Sequence, residues 1–269
     1  MTVTPAQYYN SVATEYYKNY STDLMDMSMP YPANQIRLQM LIRSFKERTN
    51  IIDVGCGDGV PGKSLGKPFC GFDVSPKMIA QARANAADME RFIVADIQNP
   101  DSYKSLLKYG PFDGLVCMGV MPHVDVNVSV KNISKLVTGK VFVEFRNELF
   151  SFFTHNRLTL ELFKKLTDEQ YHAELEFAMS SLRLDLPPVR PYDEMVANFH
   201  NPFEIRELFQ ANGFTDINIR YYHQHPAPPF MAESDPLEYR MAALAMEGRE
   251  SWMDMFTCSA FVVEAYCRA

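Results

Sequence analysis

The chain has 269 residues, of which 47% are hydrophobic and 22% charged, so it is too apolar for a disordered protein and can form a packed core. A formal net charge of -7 without any Lys/Arg run disfavours a nucleic-acid partner, because the summed field repels phosphate. No segment approaches the roughly 20 apolar residues that cross a bilayer, and the first residues lack a secretory signal pattern. We therefore expect a cytoplasmic protein with no membrane partner, either a monomer or a homodimer.

The cysteines are widely scattered and form no CxxC pair, which predicts reduced and mostly buried thiols rather than disulfides or a zinc site. His223 and His225 form an HxH pair without nearby acidic or thiol partners, so we interpret them as loop histidines. No bound metal is expected.

The first 48 residues predict an N-terminal helical cap. The stretch QYYNSVATEYYKNY places aromatic residues so that several share one face of a single helix; they are Tyr8, Tyr9, Tyr16, Tyr17 and Tyr20. This stripe fits either a flap over a ligand or a contact between helices. Asn34 to Phe45 predicts a second amphipathic helix that leads into the first strand.

Residues 49–147 alternate short apolar runs with helix-like stretches, as βαβ units of a parallel sheet do. The predicted strands are Ile51 to Val54, Phe69 to Asp73, Phe92 to Ala95, Gly114 to Met118 and Val141 to Phe145. Pro76 to Ala87 and Val126 to Val137 are predicted as helices between them. Because such crossovers are right-handed, the helices should cover both faces of a doubly wound α/β sheet.

The regular alternation stops in residues 148–200, which predict an aromatic-rich helical insertion for the substrate. In residues 201–269, Asn201, Pro202, Glu204 and Gly213 mark the N-cap, first turn and end of one helix. Two strands, INIRYY and AFVVEAY, follow it and are separated by an insertion at 223–257. The prediction is one domain, residues 1–269, with a mostly parallel sheet of seven strands.

The segment IIDVGCGDG runs from an apolar strand directly into a glycine loop, where the backbone can turn sharply and approach a ligand closely. Asp73 ends the next strand about twenty residues later, where a carboxylate can accept hydrogen bonds from both ribose hydroxyls. Asp96 closes the third strand, in a position to accept a hydrogen bond from an adenine amino group. Together these elements predict a nucleoside-containing cofactor.

These residues resemble the motif series of class I S-adenosylmethionine-dependent methyltransferases. DVGCGDG is similar to the first motif, GFDVS to the ribose motif, VADI to the adenine motif and FDGLVCMGVMPHV to the fourth-strand motif. The resemblance covers about residues 50–147 well and the insertions weakly. It implies S-adenosyl-L-methionine as cofactor, S-adenosyl-L-homocysteine as product, and AFVVEAYCR as an antiparallel last strand.

By this resemblance, Asp53, Gly55 and Gly57 should face the methionine part of the cofactor, Asp73 the ribose, and Asp96 and Ile97 the adenine. Three further residues of these motifs complete the expected cofactor site: Cys56, Val74 and Met118. A nucleotide-dependent dehydrogenase is the competing interpretation, but the third glycine of its GxGxxG motif would fall at Val60. A protein that binds the cofactor without catalysis is a further alternative.

The methyl acceptor is expected to be a small molecule, because the chain lacks the nucleobase-methylating motifs and is acidic. His123 follows the fourth strand at the open edge of the sheet and is the first candidate for a general base, or else a packing histidine. A base would favour methylation of a hydroxyl in a sugar or natural product; N-methylation of a small amine is the alternative.

Four other residues are candidates for substrate contacts: Tyr16, Arg146, Asn147 and His155. Arg146 lies at the end of the fifth strand and can clamp an acidic group through paired hydrogen bonds. It can equally form a structural ion pair with Glu144 or Glu148. The aromatic residues around His155 fit a lid over the substrate or ordinary core packing.

Overall fold

The computed structural model describes residues 3–16, 32–86, 88–182 and 197–267. Seven strands form one sheet in the order β3-β2-β1-β4-β5-β7-β6. The strands are β1 (Ile51–Val54), β2 (Phe69–Asp73), β3 (Phe92–Val94), β4 (Gly114–Cys117), β5 (Lys140–Arg146), β6 (Phe214–Gln224) and β7 (Cys258–Cys267). Strands β1 to β5 pair in parallel, whereas β7 is antiparallel to both β5 and β6. The predicted doubly wound, mostly parallel sheet with one antiparallel C-terminal strand is confirmed.

The α-helices flank this sheet or lie beyond its carboxyl edge. They are α1 (Pro5–Val12), α2 (Ala33–Ser44), α3 (Val60–Ser64), α4 (Pro76–Ala84), α5 (Val126–Leu136), α6 (Ser151–Thr154), α7 (Arg157–Leu166), α8 (His172–Leu182), α9 (Pro202–Ala211), α10 (Pro236–Met246) and α11 (Asp254–Thr257). No helix within the described ranges combines the length and the apolar character needed to cross a bilayer.

The core lies on both faces of the sheet, because the central strands are buried on each side. Strands β1 and β4 have no exposed position, which agrees with their continuous apolar runs. On one face, α2 packs Leu41 and Phe45 against Phe142 of β5 and Tyr222 of β6. This packing places the N-terminal end of α2 at the carboxyl edge of the sheet, where Arg37 contacts Glu144 of β5.

The helix signals after residue 200 agree with the structure. The Asn201 side chain accepts a hydrogen bond from Phe203 N, Pro202 begins α9, and Gly213 has a φ of 84° just past its end. Strand bounds differ from the predictions by at most one residue for the five parallel strands. Short apolar runs bounded by turn residues therefore predicted the positions of the five parallel strands.

Two predictions on local structure are wrong. The tyrosine-rich stretch is not one long helix: α1 ends at Val12, Tyr16 lies in a following turn, and Tyr17 and Tyr20 fall outside the described residues. The helix was predicted too long because no Gly or Pro follows Val12 closely to indicate its end, and the tyrosine spacing continues beyond it. His223 is not in a loop, because β6 pairs with β7 as far as Gln224 opposite Cys258. The proposed subdivision into cap, core and insertions stays a prediction.

Candidate active site

A cavity of about 320 Å³ opens at the carboxyl ends of β1, β2 and β4, the point where the strand order of such sheets reverses and ligands bind. The residues from the sequence motifs that line it are Gly55, Cys56, Gly57, Asp73, Val74, Asp96, Ile97, Met118 and His123. The N-terminal segment adds Thr4, Pro5, Ala6, Tyr9 and Tyr16. Residues from distant parts of the chain thus converge on a single cavity, as the motif spacing predicted.

The glycine loop after β1 turns directly beneath this cavity. Gly55 has a φ of +69°, and a Cβ there would lie 2.1 Å from Cγ2 of Val120, so only glycine fits. The Gly55 and Cys56 backbone N–H groups donate to the Phe72 carbonyl at 2.8 and 3.0 Å, which anchors the loop to β2. Gly55 and Gly57 therefore line the cavity, with the Val120 side chain packed closely against Gly55.

Asp73, the last residue of β2, holds the loop from the other side. Its carboxylate accepts hydrogen bonds from Gly57 N at 3.1 Å and from Ser75 N at 2.8 Å. Burial raises the pKa of Asp73, while these two backbone donors oppose the increase. Each carboxylate oxygen can accept a second hydrogen bond, so Asp73 retains capacity for two ligand hydroxyls at the cavity wall.

Asp53 behaves differently from the other motif residues. It is 1% exposed, lies under the loop, and is not part of the cavity lining. Burial, and secondarily the charge of Asp73, raises its pKa to about 8, and its Oδ2 has no hydrogen-bond partner among the described residues. A backbone hydrogen bond from Gly62 of α3 opposes this increase. Asp53 therefore lies behind the cavity wall, and its contact with a cofactor stays a prediction.

The adenine side of the predicted site is formed by the turn after β3. The Asp96 carboxylate accepts from Gln98 N at 2.9 Å, and the Asp96 N–H donates to Ser102 Oγ at 3.1 Å. Ile97 is buried, and its carbonyl accepts from the Asn132 side chain at 2.8 Å. These contacts fix the turn so that an acidic and an apolar side chain face the same cavity.

His123 lies in a 3-10 turn, Met121–His123, that follows β4. Its Nε2 is 3.5 Å from the Tyr9 hydroxyl, and the two rings meet edge to face with centroids 6.0 Å apart. Tyr9 also meets the Tyr16 ring at 6.0 Å. Burial raises the pKa of Tyr9 above its usual range, so its phenol stays protonated at neutral pH.

A buried polar cluster adjoins the cavity at Gly119 and was not predicted from sequence. The Glu144 carboxylate of β5 forms an ion pair with Arg37, accepts a hydrogen bond from the Tyr222 hydroxyl, and accepts from Gly119 N at 2.6 Å. Burial and the Glu144 charge raise the pKa of Tyr222 well above its usual range. No motif connects these residues, because α2, β5 and β6 are brought together only by the fold.

The candidate substrate residues are not brought together. Of the four, only Tyr16 lines the cavity. Asn147 is fully buried, donates to the carbonyls of Met255 and Cys258, and accepts from Leu149 N, which are structural roles that satisfy its amide. His155 is exposed at the end of α6. Among the aromatic residues of the insertion, Phe150, Phe152 and Phe153 pack against neighbouring rings, which favours core packing over a lid.

The predicted structural ion pair of Arg146 is wrong. Glu144 pairs with Arg37, and Glu148 pairs with Lys165 at 2.6 Å. Both carboxylates near Arg146 in sequence therefore serve other cations. In the described part of the chain, no group of three or more His, Cys, Asp or Glu side chains is arranged to hold a metal ion.

Comparison with known proteins agrees with this geometry. Residues 51–138 match the family model of a methyltransferase domain, a span that includes the glycine loop, Asp73, Asp96 and His123. A search of curated proteins found no significant relative.

Several solved structures share the fold at low sequence identity. A SAM-dependent methyltransferase from Archaeoglobus fulgidus has a TM-score of 0.52 at 14% identity, covering 94% of this chain and 100% of its own. Magnesium protoporphyrin IX methyltransferase from Synechocystis, with SAH bound, has a TM-score of 0.52 at 16% identity, covering 98% and 97%. Phosphoethanolamine N-methyltransferase 2 from Haemonchus contortus has a TM-score of 0.53 at 17% identity, covering 98% and 58%.

The residues around the cavity fit the cofactor of these enzymes: an open glycine loop, a carboxylate at the end of β2, and an acidic and apolar turn after β3. A dehydrogenase would require the third glycine of its loop at Val60. The matched methyltransferase domain over residues 51–138 and the strand order 3-2-1-4-5-7-6 are consistent with a class I, Rossmann-like S-adenosylmethionine-dependent methyltransferase.

Proposed function

We propose that the chain transfers the methyl group of S-adenosylmethionine to a hydroxyl oxygen of a small molecule, with His123 as the general base. The observation that carries this proposal is the position of His123, which lines the cofactor cavity beside Met118 and Gly119 and contacts Tyr9. A hydroxyl must lose its proton as it attacks, so a base within hydrogen-bond reach is useful there.

The residues that would hold the cofactor are those of the motif loops. Gly55 and Gly57 would face the methionine part, Asp73 would accept hydrogen bonds from the ribose hydroxyls, and Asp96 and Ile97 would contact the adenine. When bound, S-adenosylmethionine supplies a methyl group on a positively charged sulfur. The chain's own task is then to orient the acceptor, exclude water and remove a proton.

Tyr9 and His123 together suit proton removal. The raised pKa of Tyr9 keeps its phenol protonated, so it can donate to Nε2 of His123 in the tautomer that carries its proton on Nδ1. In that tautomer Nε2 is the acceptor for a substrate proton. The contact is long, at 3.5 Å, so an acceptor hydroxyl can replace Tyr9 at small cost. His123 then takes the proton of the incoming hydroxyl while Tyr9 limits access of water.

A small acceptor is supported by the shape and charge of the molecule. The cavity of about 320 Å³ is covered by the N-terminal segment, and the chain carries a net charge of -7. Both features disfavour a nucleic-acid strand. The fold alone does not select the acceptor, because the similar structures include a magnesium protoporphyrin IX methyltransferase and a phosphoethanolamine N-methyltransferase.

The test has two stages. Calorimetry should first show binding of S-adenosylmethionine and S-adenosylhomocysteine but not NADH. A panel of hydroxyl and amine metabolites is then screened for release of S-adenosylhomocysteine, and mass spectrometry identifies the methylated atom. Retention of S-adenosylmethionine without turnover on any acceptor would favour a binding protein, and an N-methylated product would replace the hydroxyl proposal.

The role of His123 is tested with His123→Gln and Tyr9→Phe. We expect His123→Gln to lower kcat by about 100-fold or more, with S-adenosylhomocysteine affinity unchanged and with partial recovery at high pH. Tyr9→Phe should reduce kcat less, because it removes only the positioning contact. An unchanged kcat in His123→Gln would reject the base.

A further inference from the structure

Arg146 is a cation at the carboxyl edge of the sheet that forms no ion pair with the residues that the structure describes. It is the last residue of β5 and is exposed. The neighbouring carboxylates Glu144 and Glu148 pair with Arg37 and Lys165 instead. Within the described ranges, the guanidinium of Arg146 forms no ion pair and lies 5.9 Å from the centroid of the Phe199 ring.

The sheet places Arg146 on the face that leads to the cofactor cavity. Side chains two residues apart on a strand share a face, so Arg146 and Glu144 both point toward α2, about 7 Å apart along β5. Glu144 accepts a hydrogen bond from Gly119, which lines the cavity. Arg146 therefore lies closer to solvent than Glu144 on the same face of β5. We call the region formed by Gly119, Glu144 and Arg146 the cavity mouth.

A second connection joins Arg146 to the turn that carries His123. The N–H of Asn198 donates to the Pro122 carbonyl at 2.8 Å, and the N–H of His200 donates to the Arg146 carbonyl at 2.9 Å. Two residues of extended chain span at most about 7 Å. Residues 198–200 thus connect the turn that carries His123 to the last residue of β5.

The positive charge of Arg146 lowers the pKa of two side chains near the cavity mouth, Tyr9 and His223. Burial is the main cause that raises the pKa of Tyr9, and the positive charges of Arg37 and Arg146 oppose that increase. His223 has its pKa held well below its usual range by burial, by His225, and by the charges of Arg146 and Arg37. His223 also has a φ of 63°, a left-handed conformation that non-glycine residues adopt rarely and most often at functional sites.

We propose that Arg146 binds an anionic group, a carboxylate or a phosphate, on the methyl acceptor, and thereby selects acidic small molecules. This inference rests on the proposed function. A guanidinium can hold either group through two parallel hydrogen bonds, which fixes the orientation of the bound molecule as well as its charge. Glu144 already neutralises Arg37, whereas Arg146 has no carboxylate partner among the described residues and is available to an anion.

The experiment uses the full chain saturated with S-adenosylhomocysteine, so that the cofactor site is filled. Benzoate and phenyl phosphate are titrated as anionic probes, and benzamide as the neutral control, with binding followed by calorimetry or NMR. The variants are Arg146→Met, Arg146→Lys and Arg43→Met. Arg43 is an exposed arginine near the end of α2, which lies at the opposite edge of the sheet, and it provides the matched control.

We expect the wild type to bind at least one anion and not benzamide, and the better probe distinguishes carboxylate from phosphate. Arg146→Met should weaken anion binding by about tenfold or more, Arg146→Lys should weaken it less, and Arg43→Met should leave it unchanged. S-adenosylhomocysteine affinity should be equal in all four proteins.

Three outcomes would overturn the inference. They are anion affinity that is unchanged in Arg146→Met, a wild type that binds S-adenosylhomocysteine but neither anion, and a loss of S-adenosylhomocysteine affinity in Arg146→Met. The last result would assign Arg146 to the carboxylate of the cofactor. Failure of the proposed function is recognised separately, because it would appear as an N-methylated product or as absent turnover in the metabolite screen, while the S-adenosylhomocysteine complex would still bind the anions through Arg146.

Discussion

The Glu144 carboxylate accepts a hydrogen bond from the backbone N–H of Gly119 at 2.6 Å. This contact joins β5 to the turn after β4, and the same carboxylate pairs with Arg37 of α2. The side chains of Arg37 and Glu144 are 7% and 12% exposed. Removal of Glu144 would take this carboxylate away from the buried Arg37 guanidinium, from the Tyr222 hydroxyl and from Gly119 N, and breaking a buried ion pair is costly.

We predict that Glu144→Ala lowers the free energy of unfolding by about 3 to 5 kcal/mol, measured by urea denaturation. Lys165→Met is the control, because the Glu148–Lys165 pair is half exposed on the lysine side and should contribute about 1 kcal/mol or less. Similar effects of the two substitutions would contradict the special role of the Glu144 cluster.

Asp73 supports a second prediction, on cofactor affinity. Asp73→Ala removes the proposed ribose acceptor and also frees Gly57 N and Ser75 N, which it now binds. We expect a loss of about 2 to 4 kcal/mol in S-adenosylhomocysteine binding, measured by calorimetry. Asp101→Ala, at an exposed position, should have no effect. Wild-type affinity in Asp73→Ala would reject the ribose assignment.

Local signals in the sequence indicated residues that the fold brings together in one cavity. The glycine loop, Asp73 and Asp96 each follow a short apolar run, and parallel strands bring their carboxyl ends to one edge of the sheet. Right-handed crossovers between these strands also predicted helices on both faces of the sheet. Of the residues expected around the cofactor, Asp53 alone is absent from the cavity lining, since a side chain inside the strand points into the core.

The acceptor half could not be predicted in the same way. Glu144 contacts Arg37, which is 107 residues away in sequence, and Tyr222, which is 78 residues away. The three residues belong to no motif, so their contact depends on how α2 packs against β5 and β6. Arg146 was named as a candidate, but its lack of an ion pair within the described ranges follows from the partners that Glu144 and Glu148 choose. Which cation each of these carboxylates pairs with depends on tertiary packing, and the sequence alone does not show it.

Asp53 gives a prediction on stability and pH. Burial raises its pKa from 3.8 to about 8 in the folded chain, so the folded state binds the proton more tightly than the unfolded state. The resulting stabilisation is fully present below pH 4 and is lost as the pH rises toward 8. We expect Asp53→Asn to remove this dependence, so that its free energy of unfolding relative to the wild type increases from pH 5 to pH 9.

The measurement for Asp53 is urea denaturation of both proteins at each pH, since the difference between them isolates this group from other titrating residues. Asp58→Asn is a useful comparison, because burial also raises the pKa of Asp58. A difference between wild type and Asp53→Asn that stays constant from pH 5 to pH 9 would show that Asp53 is ionised in the folded chain.

Asn10 attaches the N-terminal segment over the cofactor cavity, and it provides the last prediction. Its side-chain oxygen accepts hydrogen bonds from Ser75 Oγ at 2.8 Å and from Lys77 N at 3.1 Å, at the start of α4. The same helix α1 contributes Pro5, Ala6 and Tyr9 to the cavity wall. Cofactor release should therefore require this attachment to break.

Asn10→Ala loses two hydrogen bonds of about 1 kcal/mol each, so we expect S-adenosylhomocysteine to dissociate about five to thirty times faster in stopped-flow displacement. Ser11→Ala is the matched control, because the Ser11 hydroxyl donates within α1, to the Tyr8 carbonyl, and to no other group in the described part of the chain. Equal dissociation rates in Asn10→Ala and wild type would show that α1 does not limit exit from the cavity.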